Sequence, residues 1–292
     1  ARTKLNADLE ALRAFYLNRG YLEFTIESAQ VAISPDKESI DIDIRVREGQ
    51  QYTVTAVKLE GEFLGKEEEF KSLVTIEPGK PYQDEAVVNT ARAFTDRFGS
   101  FGYAFARVEP STEIDRVNGR VAVTITASPQ RRIYVRRIDV AGNSRTRDEV
   151  VRREFRQFES SWYDAGRIKL SRDRVDRLGY FKDVSIETNE VPGAGDQVDL
   201  LVTVSEKPTG NLLLGAGFSS ADRLSLTASI KQDNVFGSGN YLGVEVNTSR
   251  TGRTFVISSV DPYFTIDGVS RAFDVFYRTQ RPLTIIGGTD YT

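Results

Sequence analysis

A recurring junction between a helix and a strand constrains the fold of this chain more than any other feature of its sequence. Three times a helical pattern ends in glycine, and an aromatic residue and an alternating strand pattern follow. The glycines are Gly20, Gly102 and Gly179, separated by 82 and 77 residues. Glycine readily adopts the left-handed conformation that ends a helix, so each copy is expected to close a helix and lead into a strand. The spacing predicts repeats of a small domain rather than of a solenoid.

A second landmark has the same period and gives the order of elements within a repeat. Strand patterns end at Gly61 and Gly142, which are 81 residues apart. Apolar periodicity then predicts the order β-α-α-β-β in the second and third repeats. The elements expected in the second repeat are a strand over 52–60, helices over about 66–74 and 83–98, a strand after Gly102 and a strand over 121–126.

The third repeat follows the same order, and the first is cut. The elements expected in the third repeat are a strand over 133–140, helices over about 147–157 and 164–178, and strands over 181–187 and 197–205. Thr146 and Glu149 fit a capping box at the start of its first helix. The first repeat begins only at a helix over 5–18 and ends in strands over 22–33 and 39–46. Because the chain starts at Ala1 and contains no Met, we expect it to be a processed chain or a fragment.

The composition removes most of the usual catalysts. The 292 residues include no Cys and no His, which excludes thiol nucleophiles, disulfides, Ser-His-Asp triads and imidazole metal sites. Asp41 and Asp43 alternate with isoleucines on a predicted strand, which favours a solvated strand face over acid-base catalysis. Gly215 and Gly217 lie among strands and complete no phosphate-binding loop. We therefore expect no enzyme, no cofactor and no metal.

The charge is unevenly distributed, although the net charge of the chain is only −3. Residues 131–182 contain 15 basic and 8 acidic residues. Nucleic-acid binding would combine a basic patch with stacking aromatic residues. Here most arginines alternate with Asp and Glu at helical spacing, as in 147–149 and 172–173. This pattern favours a surface for protein docking or lipid head groups over a nucleic-acid partner, with solubility alone as a further alternative.

The last 84 residues change architecture, because alternating strands replace the helical pattern after Gly210. Leu212, Leu214, Ala216 and Phe218 share one predicted face, and Asn211, Leu213, Gly215 and Gly217 share the other. An apolar face, a small polar face and aromatic residues near strand ends are typical of transmembrane barrels. Five strands of about ten residues cannot close, since such barrels begin at about eight strands. The barrel is therefore expected to be truncated or to be completed by other material.

The repeats resemble POTRA domains. Residues 142–162 read Gly-Asn-Ser-Arg-Thr-Arg-Asp-Glu-Val-Val-Arg-Arg-Glu-Phe-Arg-Gln-Phe-Glu-Ser-Ser-Trp, which is similar to the last POTRA domain of the BamA family of outer-membrane protein assembly factors. The resemblance continues through 196–199 and 206–210. It implies α+β POTRA repeats followed by antiparallel transmembrane β-barrel strands, a truncated part of a sixteen-stranded type of barrel.

The resemblance also implies the division of the chain. The expected domains are a third-like POTRA over 1–49, a fourth-like POTRA over 50–129, a fifth-like, barrel-adjacent POTRA over 130–208 and the first barrel strands over 209–292. We name these the first, second and third repeats and the C-terminal segment. Residues 233–239 and 261–264 resemble the first loop and the first periplasmic turn of the barrel.

Lipoprotein partners are implied at two places. A BamD-like protein would dock on the third repeat at Arg152, Arg156 and Glu159, whose spacing places them on one face of the predicted helix. A BamB-like protein would add to an exposed strand edge of the first repeat, at Ile26, Glu27, Val31 and Ile33. For Val31 and Ile33, packing against the core of the domain is an equal alternative.

A gate strand is implied at the start of the C-terminal segment. Its residues are Asn211, Leu212, Leu213, Leu214, Gly215, Ala216, Gly217 and Phe218. Its seam with the last strand of a closed barrel would be the weakest pairing, and glycines would loosen it further. An open edge would let an incoming strand pair its backbone before it meets lipid, where unpaired backbone groups are costly.

The resemblance therefore implies a core component of the outer-membrane β-barrel assembly machinery. It would receive unfolded outer-membrane protein precursors through its POTRA domains in the periplasm and insert them into the outer membrane, in contact with lipid. Two alternatives remain. One is a TamA-like protein or two-partner-secretion transporter of the same architecture, and the other is a soluble periplasmic binding module.

Overall fold

The computed structural model describes residues 2–33, 40–220 and 223–281. The chain divides into two compact units. One comprises Ala1–Tyr134 with Trp162–Gly166, and the other comprises Val135–Ser161 with Arg167–Thr292. No helix among the described residues combines the length and apolar character that crossing a bilayer requires.

The first repeat contains one helix and one hairpin. Its elements are α1 (Arg2–Leu17), β1 (Thr25–Ile33) and β2 (Ile40–Arg47). Gly20 follows the helix with a φ of +91°, as its sequence position predicts. The two strands pair antiparallel and form a sheet of their own. Ser39, where the second strand was expected to begin, lies outside the described residues.

The second repeat confirms the β-α-α-β-β order. Its elements are β3 (Thr53–Gly61), α2 (Glu67–Lys71), α3 (Asp84–Ser100), β4 (Arg107–Asp115) and β5 (Arg120–Ser128). The strand order is β3-β5-β4, in which β3 runs parallel to β5 and β4 antiparallel to it. Four buried aromatic rings, Phe63, Phe70, Phe94 and Phe98, pack between the helices and the sheet and form the centre of the core.

The third repeat has the same order with one addition. Its elements are β6 (Tyr134–Ala141), α4 (Asp148–Arg152), β7 (Ser161–Trp162), α5 (Ala165–Arg177), β8 (Phe181–Val191) and β9 (Ala194–Glu206). The sheet order is β7-β6-β9-β8. Buried residues such as Val150, Val175 and Leu200 supply its core. The first helix was expected over 147–157 but has five residues, and the two-residue strand β7 was not predicted.

The described part of the C-terminal segment is a five-stranded antiparallel meander. Its strands are β10 (Gly210–Ser219), β11 (Arg223–Gln232), β12 (Tyr241–Thr248), β13 (Gly252–Asp261) and β14 (Arg271–Gln280). They agree with the five strands predicted from alternation. Ten-residue strands match the length that crosses a bilayer at a tilt. Residues 282–292, which the expected barrel domain includes, lie outside the described residues.

The strand register sorts the side chains of this sheet into two faces. The apolar face carries the facing pairs Leu212/Ile230, Leu214/Ala228, Ala216/Leu226, Val246/Phe255 and Ile257/Val275. The polar face carries the pairs Asn211/Lys231, Leu213/Ser229, Gly215/Thr227 and Ser258/Asp274. The alternation predicted for the first two strands thus extends in register across all five, although the polar face also carries the apolar pairs Val256/Phe276 and Val260/Ala272.

Candidate docking turn and edge strands

The docking turn, which we define as residues 148–159, presents an exposed charge cluster. Arg152 is the last residue of α4. Its Nε donates to Asp148 one turn earlier, and its Nη1 lies 3.5 Å from Glu159 Oε1. The hydrogen bond to Asp148 raises the pKa of Arg152 above its ordinary value. Glu159 Oε1 also accepts from the backbone N–H of Ile138 at 2.8 Å, so β6 holds the cluster in place.

Arg156 does not join this cluster, which corrects the prediction of a single helix face. The helix ends at Arg152: the backbone N–H groups of Glu154 and Phe155 donate only three residues back, and that of Arg156 donates to Ser171 Oγ of α5 at 2.8 Å. The Arg156 guanidinium folds back, and its Nη1 donates to the carbonyl oxygens of Arg153 at 3.1 Å and Phe155 at 2.9 Å. Arg152 and Glu159 therefore meet through a turn, and Arg156 stabilises that turn.

The hairpin of the first repeat offers exposed strand edges, as predicted. Among the described residues β1 pairs only with β2. The register shifts between Ile26 and Ser28, so Glu27 occupies a bulge, and its carboxylate lies 3.6 Å from Arg47 Nε. Val31 is 50% exposed in the described part of the chain. The side chain of Ile33 lies outside the described part of the structure.

The bulge has a consequence that alternation alone does not predict. Counted without it, Ile26 and Val31 fall on opposite faces. With it, Ile26 pairs with Val46 and Val31 pairs with Ile42. Val46 and Ile42 are separated by an even number of residues and share a face, so Ile26 and Val31 share that face as well.

Strand β10 forms an edge of the five-stranded sheet. Among the described residues it pairs only with β11, so its second edge carries unpaired backbone groups. All eight predicted gate residues are exposed. Neither Gly215 nor Gly217 has a positive φ. A Cβ at Gly217 would lie 2.9 Å from Ser225 Oγ, whereas one at Gly215 would come no closer than 3.9 Å to Thr227 Cβ.

The turn over 233–240 packs against the third repeat, within the second compact unit. Asn234 Nδ2 donates to Thr146 Oγ1 at 2.8 Å, and the Arg147 backbone N–H donates to the Gly237 carbonyl at 2.9 Å. The predicted capping box is therefore wrong: α4 has Arg147 at its N-cap without a side-chain cap, and the Thr146 hydroxyl serves Asn234 instead.

Glu206, the last residue of β9, binds the loop that precedes α4, at residues 144–146. It accepts from the backbone N–H of Thr146 at 2.7 Å and from Ser144 Oγ at 2.9 Å. Burial acts to raise the pKa of Glu206, but the hydrogen bonds, led by those from Thr146, outweigh burial and lower it.

A second turn, over 262–270, contacts the third repeat through Tyr263. The Arg153 guanidinium carbon lies 4.4 Å from the centre of the Tyr263 ring. Arg174 Nη2 lies 2.7 Å from the carboxylate of buried Glu154 and donates to Tyr263 Oη at 3.2 Å. Among the described residues Nε and Nη2 of Arg153 are buried without a hydrogen-bond partner. The ring of Tyr263 is therefore the main partner of this cation.

These contacts correct the expected order of the connections. Residues 233–239 were expected as the first loop and 261–264 as the first periplasmic turn. Both connections lie at the end of the meander that contacts the third repeat. They are therefore the first and second turns at that end, as the antiparallel order of β10 to β14 requires.

Comparisons with known proteins agree with this architecture. The POTRA family, described as surface antigen variable number repeat, matches residues 1–49, 52–129 and 133–207. The chain belongs to the POTRA family. The Omp85 superfamily domain matches residues 234–290, over the barrel-like strands.

Named relatives confirm the resemblance to BamA. The outer membrane protein assembly factor BamA of Neisseria meningitidis serogroup B is 36% identical over 280 residues, which cover 96% of this chain and 35% of the relative. BamA of Buchnera aphidicola is 29% identical over 274 residues, covering 94% of this chain and 44% of the relative. The chain thus spans less than half of the length of these curated relatives.

Solved structures confirm the fold class of POTRA repeats followed by antiparallel barrel strands. BamA from Haemophilus ducreyi lacking POTRA domains 1–3 superposes with a TM-score of 0.70 at 29% identity, covering 78% of this chain and 43% of that one. BamA POTRA3-5 from Haemophilus influenzae gives a TM-score of 0.66 at 28% identity, covering 69% and 80%. As in its BamA homologues, the POTRA repeats are periplasmic domains of an outer-membrane protein.

The POTRA site residues predicted from sequence fall into separate groups. Arg152 and Glu159 meet, Arg156 supports them, and the hairpin of the first POTRA repeat and β10 form distinct edges. Sequence reasoning missed the contact of Arg153 and Arg174 with Tyr263, because the residues lie 89 or more positions apart along the chain. Among the described residues no group of three or more His, Cys, Asp or Glu is placed to hold a metal ion.

Proposed function

We propose that this chain acts in outer-membrane protein assembly as the POTRA and barrel-seam part of a BamA-type assembly factor, without enzymatic chemistry. Its POTRA repeats receive unfolded outer-membrane protein precursors, and β10 pairs with their strands at the seam. Among the described strands β10 has the edge position, on a sheet with one continuous apolar face, and this is the observation that carries the proposal.

The physical argument rests on the backbone. A strand entering hydrocarbon with unpaired N–H and C=O groups loses several kcal/mol per group. A strand that first pairs with β10 satisfies one of its edges before it is exposed to lipid. Backbone pairing depends little on side chains, so a single edge serves precursors of different sequence.

Cross-linking in the full-length parent protein tests the gate. Cysteine replaces Leu213 of β10, and in a control it replaces Asn247 of β12, which also lies on the polar face but whose strand is paired on both sides. A stalled precursor with a single cysteine in its terminal strand should form a disulfide with Leu213→Cys and not with Asn247→Cys. Equal cross-linking at both positions, or none at Leu213→Cys, would contradict templating at β10.

The docking turn is proposed to bind a BamD-type lipoprotein through Arg152 and Glu159. Both are exposed, and their opposite charges suit a partner that presents a complementary pair. Arg156 takes part by holding the turn, through its two bonds to backbone carbonyls.

Charge reversal in the docking turn is the corresponding prediction. Glu159→Lys should abolish co-purification of the lipoprotein, because it breaks the pair with Arg152 and places two cations together. Glu149→Lys, at an exposed carboxylate of α4 that is bridged to Arg147 instead, should leave binding intact. Affinity capture from outer-membrane fractions measures both, and loss of binding in both variants would show that net charge alone matters.

The first repeat is proposed to bind a BamB-type lipoprotein by strand addition at β1. Ile26, Glu27 and Val31 support this role through the free edge, the bulge and the exposed apolar face; Ile33 remains a prediction. The domain division proposed for the chain is third-like, fourth-like and fifth-like POTRA repeats over 1–49, 50–129 and 130–208, followed by barrel strands over 209–292.

A further inference from the structure

Charged residues on the apolar face of the C-terminal sheet occur only at its two ends. Arg253 lies at the end away from the third repeat, and Asp261 and Arg271 form a facing pair at the end near it. The described positions between them on this face are uncharged. A face buried in hydrocarbon is expected to carry charge only at the level of the lipid head groups.

Arg271 lies between two phenylalanine rings at this border. Its guanidinium carbon is 4.0 Å from the centre of the Phe264 ring and 5.0 Å from that of Phe273. Phe273 is two residues further along β14 and lies on the apolar face, whereas Phe264 belongs to the turn over 262–270. The two rings fix the guanidinium plane and leave its N–H groups available at the edge.

No carboxylate in the described part of the chain forms an ion pair with Arg271. Asp261 is its register partner, but Asp261 Oδ1 accepts from the backbone N–H of Tyr263 at 3.1 Å and thereby closes the turn. Arg271 is thus an exposed cation, oriented by aromatic rings, that pairs with no anion among residues 2–33, 40–220 and 223–281.

The surrounding turn is hydrogen-bonded and exposes aliphatic side chains, and Asp267 is its one acidic residue. The backbone N–H of Phe264 donates to the Val269 carbonyl at 3.0 Å, and Thr265 Oγ1 accepts from the Val269 N–H at 3.2 Å. Ile266 at the tip of the turn is 97% exposed, and Val269 is 58% exposed. A turn that exposes aliphatic side chains beside an apolar face with charged residues only at its ends fits the boundary between lipid head groups and acyl chains.

We propose that Arg271, held by Phe264 and Phe273, binds the phosphate of a phospholipid head group at the end of the sheet near the third repeat. Guanidinium N–H groups match two phosphate oxygens, and the apolar face beyond Phe273 receives an acyl chain. The apolar face continues directly from the site, which favours a lipid over a free phosphate. The inference rests on the membrane placement of this sheet in the proposed function.

The test uses the full-length parent protein in detergent, with the lipids retained measured by native mass spectrometry. The probes are a short-chain phosphatidylglycerol, the matching diacylglycerol without phosphate, and inorganic phosphate alone. Arg271→Gln should weaken phosphatidylglycerol binding about fivefold, the effect of one arginine near a lipid surface. Arg278→Gln, on the same strand but on the polar face, should bind as the unmodified protein does. Neither variant should change the weak retention of diacylglycerol.

Phe264→Leu gives a second variant that keeps the charge and removes one ring, and it should also weaken phosphatidylglycerol binding. Unchanged binding in Arg271→Gln, or an equal loss in Arg278→Gln, would overturn the proposal. Binding of inorganic phosphate as tight as that of phosphatidylglycerol would assign the site to free phosphate instead. Recovery in outer-membrane fractions is measured in parallel: a protein absent from the membrane contradicts the proposed function as well, whereas a membrane-embedded Arg271→Gln with normal lipid binding contradicts only the lipid site.

Discussion

Gly142 directly follows β6 at a position where no side chain fits. Its φ is +85°, and a Cβ there would overlap the carbonyl oxygen of Val204 in β9. Gly61 has the same relation to the carbonyl oxygen of Ala127 in the second repeat, with a φ of +96°. The glycine landmark found in the sequence therefore has one physical cause in both repeats, the close approach of two strand backbones.

Replacing Gly142 and a control glycine separates two costs of an added Cβ: the overlap with a neighbouring strand and the strain of a positive φ. Gly142→Ala should lower the free energy of unfolding by about 2 kcal/mol more than Gly193→Ala, since overpacking adds to the left-handed penalty. Gly193 is the control because its φ is +82° and no atom lies within 4 Å of the added Cβ. Urea unfolding of the two variants measures the difference, and equal losses would mean that the overlap relaxes at no cost.

Glu23 joins the first and second repeats within the first compact unit. Its carboxylate accepts from Arg116 Nε at 2.7 Å and from Tyr52 Oη at 2.8 Å. The hydrogen bond from Arg116, followed by that from Tyr52, lowers the pKa of Glu23 below its ordinary value of 4.5. A carboxyl whose pKa is lower in the folded state contributes stability above its unfolded pKa and loses it as the pH falls through the folded pKa.

Glu23→Gln should therefore reduce stability at neutral pH and flatten its decline on acidification below about pH 4.5. Thermal unfolding between pH 7 and pH 3 measures both effects. Glu109→Gln, at an exposed position of β4, serves as the matched control and should reproduce the unmodified profile. An unmodified profile in Glu23→Gln would show that the carboxylate does not act through its charge.

One hydroxyl of α5 holds the backbone that follows α4. Ser171 Oγ accepts from the backbone N–H groups of Arg156 at 2.8 Å and Gln157 at 3.3 Å, and it donates to the Arg167 carbonyl at 2.7 Å. The residues after Arg152 thereby turn toward α5. This turn brings Glu159 close to Arg152. The predicted continuous helix would also have placed the two residues near each other, but along one face of the helix.

Adjacent residues of β10 provide a sharp test of its two faces. Leu214 lies on the apolar face opposite Ala228, and Leu213 lies on the polar face opposite Ser229. Leu214→Arg should destabilise the folded sheet in a bilayer by about 2–4 kcal/mol, the cost of arginine on the lipid face near the midplane. Leu213→Arg should cost far less, because its charge faces away from lipid. Urea unfolding of the full-length protein in vesicles measures both losses of stability. A larger loss for Leu213→Arg than for Leu214→Arg would reverse the assignment of the faces.

At the scale of the second compact unit, both turns of the sheet contact the third repeat. Asn234 anchors the first turn to Thr146, and Tyr263 anchors the second to Arg153 and Arg174. Gly239 lies where a side chain would overlap the Arg153 guanidinium, and its carbonyl accepts from Tyr180 Oη at 3.1 Å. The last POTRA repeat is thus joined to the sheet by polar and cation–aromatic contacts.

Two variants of Tyr263 measure how much its contacts with Arg153 and Arg174 stabilise the junction between the third repeat and the sheet. Tyr263→Phe keeps the ring over Arg153 and loses the bond from Arg174, whereas Tyr263→Leu loses both and leaves the buried Arg153 cation without its ring. Hydrogen exchange in α4 and the turn over 262–270 should rise slightly in the first variant and about tenfold in the second, for a cation–aromatic contact of 1–2 kcal/mol. Tyr277→Leu, on the apolar face, should leave this exchange unchanged, and equal protection in Tyr263→Leu would remove Tyr263 from the connection.

The sequence by itself determined the number and order of the repeats, the position of the strands and the two faces of the sheet. These features follow from local rules: glycine conformation, helical and strand periodicity, and alternation along strands of ten residues. The composition also removed whole classes of catalysts, and the residues of 142–162 indicated the family. Such properties depend on residues close together in sequence and do not require contacts between distant parts of the chain.

Tertiary structure decided how residues far apart in sequence combine. The Thr146 hydroxyl binds Asn234 rather than its own helix, Ser171 binds the backbone that follows α4, and a bulge at Glu27 aligns Ile26 with Val31. In each case a local hydrogen bond and one from another element are alternatives, and the packing of the elements determines which of the two forms. Sequence patterns do not contain that geometry, so the sequence did not predict that the charges at 152 and 159 meet through a turn.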